Sequence, residues 1–156
     1  EGTNTIQSLD LLGRKVLGNN GATLKKFGKL VGALVAEEGV NEKMAEFITP
    51  IAVLGEQITK FTTEIGFKGF QNADEVGAAA VDYLRVAGHL VFGYFFARMA
   101  QVALREIAAG NTDPFYPAKL QTARFYFAKL FPETATLMRT ARAGSKVLMD
   151  TDLALA

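Results

Sequence analysis

The chain has 156 residues, enough for one domain and too few for two ordinary ones. An apolar share of 49% supports a buried core, and a net charge of +1 argues against disorder and offers no basic excess for nucleic-acid phosphates. Cysteine is absent, which excludes disulfides and thiolate metal sites and permits the expected cytoplasmic location.

The chain opens on Glu1 rather than methionine, so a processed chain or a fragment is expected. No basic segment followed by an apolar stretch opens it, so no secretory leader is read. Almost every later segment has helical periodicity. A first helix is expected from about Asn4, acting as its cap, to Leu17. Gly18-Asn19-Asn20-Gly21 reads as a turn, because glycine and asparagine tolerate positive φ. A second helix follows from Ala22 to Glu38, with Leu24, Phe27, Val31 and Leu34 inward, Gly28 and Gly32 inviting close approach of a neighbour, and Gly39 as the stop.

The third helix, capped by Asn41, has the clearest period. Met44, Phe47, Ile51, Leu54, Ile58, Phe61 and Ile65 alternate spacings of three and four, which puts them on one stripe; Pro50 should kink it. Such a stripe can join two chains as a coiled coil, but in a chain rich in helices it is expected to pack inside its own bundle. Asn72 and Glu75 have capping-box spacing and open a long helix to Ala109, stopped by Gly110. Its polar stripe changes sides, from Asp82, Arg85 and His89 to Arg98, Gln101 and Arg105, around an apolar middle. That pattern predicts a helix running through the centre of a bundle. The run Val86 to Ala97 is too short to span a bilayer. Pro117 suits the start of a further helix with Leu120, Ala123, Phe127 and Leu130 inward, Pro132 kinks it or starts another reaching about Met149, and 150–156 should fray. The expected fold is all-α, a bundle of roughly five to six helices with a long central helix and no sheet.

A self-contained active site is not evident. One histidine and no cysteine cannot build a histidine-rich metal site, and no phosphate-loop, dinucleotide or serine-nucleophile fingerprint occurs. Asp82, Arg85 and His89 lie close enough along a helix to pair with one another, as a proton relay or as a satisfied polar patch, the patch being favoured. Phe92, Phe95, Phe96, Phe125, Tyr126 and Phe127 are read as core, with a ligand pocket as the lesser alternative.

The opening Glu1-Gly2-Thr3-Asn4-Thr5-Ile6-Gln7 resembles the Y-E-G-T-x-x-I-Q motif that closes the catalytic region of acyl-CoA dehydrogenases, and Leu9-Asp10-Leu11-Leu12-Gly13-Arg14-Lys15 resembles the helix that continues from it. Asp82-Tyr83-Leu84-Arg85, Gly93-Tyr94-Phe95-Phe96-Ala97-Arg98-Met99-Ala100, Lys119-Leu120-Gln121-Thr122-Ala123-Arg124-Phe125-Tyr126 and Leu130-Phe131-Pro132-Glu133-Thr134 resemble the C-terminal extension of one branch of that family, which includes methylmercaptopropionyl-CoA and related bacterial fatty acyl-CoA dehydrogenases. Together these stretches touch most of the chain.

The resemblance implies an FAD-dependent parent enzyme that oxidises an acyl-CoA to a trans-2-enoyl-CoA. By position in the motif, Glu1 is the catalytic base, Gly2 lies beside the substrate thioester, and Thr3, Asn4 and Thr5 contact FAD, although Thr5 replaces the glutamine of some relatives. A helix start with hydroxyls and unpaired N–H groups suits an anionic pyrophosphate. Residues 1–17 would end the catalytic helical domain and 22–156 would form the extension. The implied partners are the rest of the dehydrogenase chain, acyl-CoA, an electron-transfer flavoprotein or similar acceptor, and further copies in a homo-oligomer; nucleic acid and a membrane span are not expected. The isolated chain is expected to be structural, without tight FAD binding or turnover. Two other readings stand beside this one: an independent helical protein-interaction module, and, more weakly, a membrane-surface helical domain, for which no basic amphipathic face speaks.

Overall fold

The computed structural model describes residues 3–150. They form an all-α bundle: α1 (Asn4–Leu9), α2 (Ala22–Glu38), α3 (Ala45–Gln71), α4 (Asp74–Ala108), α5 (Phe115–Phe125), α6 (Glu133–Ala141) and the short α7 (Lys146–Met149), with no strand among the described residues. The 35-residue α4 is the axis; α3, α5 and α6 pack along it, and α1 lies on it as well. The stripe expected on the third helix is the main core. Met44, Phe47, Ile51, Leu54, Ile58, Phe61 and Ile65 are all buried, and they meet Ala79, Tyr83, Val86, Leu90 and Ala97 of α4 in one cluster. Small residues on α4 let the two backbones approach. At Gly93 an added Cβ would lie 2.8 Å from the Phe131 ring and 2.9 Å from Ile51 Cγ2.

Several local expectations are corrected. The first helix does not run evenly to Leu17. It passes into a π-helical segment over Asp10–Val16, where the Leu17 N–H reaches the Leu12 carbonyl, then into a 3-10 turn over Leu17–Asn19. Asn4 is not its cap; Thr3 holds that position without a side-chain hydrogen bond, while the Asn4 carbonyl accepts from the buried Ser8 hydroxyl at 2.7 Å. The turn that follows is as read, with φ of 54° at Asn20 and 72° at Gly21. Gly28 and Gly32 meet no neighbour; they lie on the outer face of α2. Asn41 caps a 3-10 turn over Glu42–Met44 rather than α3 itself, and α3 is helical through Pro50.

The capping box at Asn72 is half built. The Asn72 side chain accepts from the Asp74 N–H at 3.1 Å, but Glu75 does not reach back. The Asn72 N–H is already bonded to the Lys68 carbonyl, and the Glu75 carboxylate turns to Ser145. Pro114, not Pro117, precedes the first residue of α5. A second π-helical segment, Tyr126–Leu130, closes with the Phe131 N–H on the Tyr126 carbonyl at 2.9 Å. The extra residue in that turn advances the helix phase. Tyr126, Phe127 and Phe131 therefore point inward, and Leu130, expected inside, is exposed. Pro132 starts a new helix, but α6 ends at Ala141, and Gly144 at φ 83° separates it from α7. The expectation for the tail falls on 151–156, outside the described residues, apart from Asp150, which ends α7 in an extended conformation.

Candidate functional site

Two places carry the polar residues singled out in the sequence. At the first, Glu1 and Gly2 lie outside the described residues. Thr3, Asn4 and Thr5 are exposed at the start of α1, which leaves them open to a group supplied from outside this bundle. Their hydroxyl, amide and first-turn N–H groups have the donor chemistry for the edge of an anionic ligand. None of the main hollows among the described residues is lined by them.

The second place is the α4–α6 contact. Asp82, Arg85 and His89 do share a face, but they do not pair with one another. Each reaches across to another element. The Thr140 hydroxyl donates to Asp82 at 2.6 Å, and Arg85 and His89 both hold Glu133, Arg85 at Oε1 and His89 Nε2 at 3.1 Å from Oε2. His89 Nδ1 lies 2.8 Å from the Tyr126 hydroxyl. A carboxylate only accepts, so the Nε2–H donates to Glu133, while Nδ1 pairs with the Tyr126 hydroxyl, which also reaches the His89 carbonyl at 3.3 Å. The hydrogen bond from His89, the strongest influence, together with the Arg85 charge, holds the Glu133 carboxyl below the usual carboxylate range. Burial pushes the Tyr126 phenol well up, so it stays a proton donor. No buried side-chain polar atom among the described residues lacks a partner. No nucleophile faces the group, and no cluster of metal-ligating side chains occurs among the described residues. The arrangement is a clasp tying α4 to α6 and to the Tyr126 segment. Glu133, Tyr126 and Thr140 were not foreseen as members; the one signal for Glu133 was its place just after Pro132, at a helix start.

On the other side of α4, Gln101 Nε2 donates to Glu37 at 2.9 Å and Glu38 at 2.5 Å, and Arg98 lies 3.6 Å from Glu37, so the second polar stripe fastens the end of α2. The largest hollow, about 730 Å³, is an open groove between the Gly13–Gly21 bend and the second half of α3, bordered by Leu24, Thr59, Thr63 and Phe70. It presents no convergent charged groups for catalysis. No helix among the described residues is long and apolar enough to cross a membrane.

The family described as acetyl-CoA dehydrogenase C-terminal like matches residues 22–152. Over 152 residues the chain is 30% identical to 3-methylmercaptopropionyl-CoA dehydrogenase of Ruegeria pomeroyi, covering 95% of this chain and 26% of that protein. It is 28% identical to butyryl-CoA dehydrogenase of Syntrophomonas wolfei, covering 85% of this chain and 22% of that one. With a broad-specificity linear acyl-CoA dehydrogenase of Mycobacterium tuberculosis it shares 25% identity, covering 85% and 23%. The chain thus spans about a quarter of the length of these curated relatives. A match running from the first residue of α2 through α7, over an all-α bundle, places this chain in the acetyl-CoA dehydrogenase C-terminal-like family.

Proposed function

We propose that this chain is the C-terminal part of an FAD-dependent acyl-CoA dehydrogenase. In this reading residues 22–156 form a helical extension that buttresses the enzyme, and 1–17 are the end of its catalytic helical domain. The observation that carries the reading is the reach of the similarity. Covering 95% of the chain, the match to the Ruegeria pomeroyi relative extends beyond 22–152 into the segment before Ala22, the stretch whose sequence opens with Glu1-Gly2-Thr3.

In the longer protein Glu1 removes the proton from the α-carbon of an acyl thioester. A carboxylate with an ordinary pKa of about 4.3 is a weak base in water, and burial beside an apolar acyl chain raises that value toward the working pH. Gly2 leaves room for the thioester, because a side chain there would obstruct it. Thr3, Asn4 and Thr5 lie at the edge of the flavin, and FAD supplies the hydride acceptor when bound. The chain alone provides one wall of such a site, so in isolation it is a structural domain without tight flavin binding or turnover. Acyl-CoA, an electron-transfer flavoprotein or similar acceptor, and a homo-oligomeric state belong to the longer protein.

The test has two arms. The open reading frame should contain a tyrosine immediately before Glu1 and flavoprotein sequence upstream, and in the enzyme it encodes Glu1→Gln should abolish acyl-CoA-dependent dye reduction while flavin absorbance persists. Full turnover in Glu1→Gln, or a start codon directly at this segment, overturns the assignment and favours an independent helical interaction module.

A further inference from the structure

The central helix has more apolar surface than its neighbours cover. Gly77, Val81, Leu84, Gly88, Val91 and Phe95 follow one another at spacings of three and four along α4, with Phe92 beside them. Repeats of that kind put side chains on one face. That face is not the one turned to α3. Phe95 is 60% exposed, Phe92 58% and Val81 46%, so the sequence expectation that the aromatics of the helix centre are core fails for the first two. From Gly77 to Phe95 this face carries no charged side chain, about 27 Å at the rise of an α-helix; Arg98, the next position on it, turns to Glu37. An uncovered apolar strip on a helix whose polar residues are engaged by its neighbours marks an interaction surface.

Three observations point to what covers it. At a width of about 10 Å the strip offers on the order of 300 Å², roughly a third of what each partner contributes to a stable complex between separate molecules. A body linked to this chain escapes that requirement, because tethering supplies a high effective concentration. The curated relatives extend well beyond the matched part, which is about a quarter of each. Finally, α1 already lies on α4 at one end of the strip: Leu9 and Gly77 border the same hollow, and Ile6 and Leu9 are themselves exposed. The strip continues a layer that α1 begins.

We propose that the α4 face from Gly77 through Phe95 is the docking surface for the catalytic helical body of the longer dehydrogenase chain, which lays an apolar helix face of its own against it beside α1. This rests on the assignment of residues 1–17 to that body. Gly88 and Gly77 are the close-approach points, and Phe92 and Phe95 are the anchors that enter the opposing surface.

The absence of cysteine makes this directly readable. Phe95→Cys and Val81→Cys are introduced one at a time into the 156-residue chain and into the longer protein. Maleimide labelling of the matching peptide is followed by mass spectrometry and normalised to the same protein in urea. Both positions are exposed, so neither variant disturbs the core. In the 156-residue chain both thiols should label nearly as fast as in urea, and in the longer protein both should slow at least about tenfold. A longer protein that binds flavin and oxidises acyl-CoA yet labels at the free rate overturns the docking surface and leaves the functional assignment intact. A reading frame without a flavoprotein body overturns that assignment by itself. Protection of the 156-residue chain that grows with its own concentration, or on adding vesicles of phosphatidylcholine and phosphatidylglycerol, gives the face to a second copy or to lipid and overturns the proposal.

Discussion

The hydroxyl of Tyr126 lies 2.8 Å from Nδ1 of His89, and this bond decides which way the single histidine of the chain faces. With Nδ1 satisfied by the phenol, the Nε2–H is aimed at Glu133, and the carboxylate is shared with Arg85. Tyr126→Phe keeps the packing against Phe96, whose ring stacks at 4.3 Å, but leaves Nδ1 in a largely buried place without its partner. The expected cost is about 1–2 kcal/mol, read as a lower urea midpoint with an unchanged slope. A double-mutant cycle with His89→Leu should show the two losses to be less than additive, because both remove the same bond.

Glycine-to-alanine substitutions should split by position. Gly93 sits where α4 crosses α3 beside Phe131, and an added methyl has no room there. Overpacking of about 1–3 kcal/mol exceeds the gain of up to about 1 kcal/mol from better helix propensity, so Gly93→Ala destabilises. Gly28 and Gly32 are open helical positions on the outer face of α2. Each replacement there should stabilise by up to about 1 kcal/mol. Thermal midpoints of the three single variants check both signs.

The same contrast shows what the sequence makes legible. The α3 stripe could be read from spacing alone because a period of three and four admits one buried face, and Pro50 did not interrupt it. The α2 glycines could not, since an unsubstituted Cα is silent about whether a neighbour or water lies beside it. Leu130 was misplaced because a π turn changes the phase of the helix, and no residue type announces such a turn. The polar stripe of Asp82, Arg85 and His89 was visible, but its partners Thr140, Glu133 and Tyr126 are 37 to 58 residues away, and single-chain periodicity carries no information about contacts at that range. Of the proposed site, Thr3, Asn4 and Thr5 are at a helix start as read, one residue offset from the expected cap.

Stability in acid should depend on Glu75. Its carboxylate accepts from the Ser145 N–H at 2.9 Å and the Ser145 hydroxyl at 2.6 Å, fastening the segment after α6 to the start of α4. The side-chain hydrogen bond from Ser145 comes first among the causes that hold the carboxyl below its ordinary value of 4.5. A group with a depressed folded-state pKa stabilises the fold above its unfolded pKa, and the contribution is lost as pH falls through the folded value. Glu75→Gln should therefore lower the thermal midpoint at pH 7 and flatten its decline below about pH 4.3. A Glu75→Gln curve parallel to the parent through that range would show that the ionised form carries no advantage.

Thr62 and Tyr83 form the one polar pair inside the α3–α4 core, and their bond has a direction. The Thr62 hydroxyl donates to the Ile58 carbonyl at 2.6 Å, so at 2.7 Å from Tyr83 its oxygen must accept the phenolic proton. Tyr83 is fully buried, and burial raises its pKa, which keeps the proton on the phenol. Thr62→Val replaces the hydroxyl with a methyl of similar size and strands that donor, at a cost of about 1–3 kcal/mol. Tyr83→Phe removes the donor itself and leaves Thr62 bonded to Ile58, so it should cost about 1 kcal/mol, and the stacking on Phe61 at 6.0 Å survives. With both changes no unpaired group remains, so the double variant should be more stable than Thr62→Val alone, a reversal that urea denaturation of the three proteins would resolve.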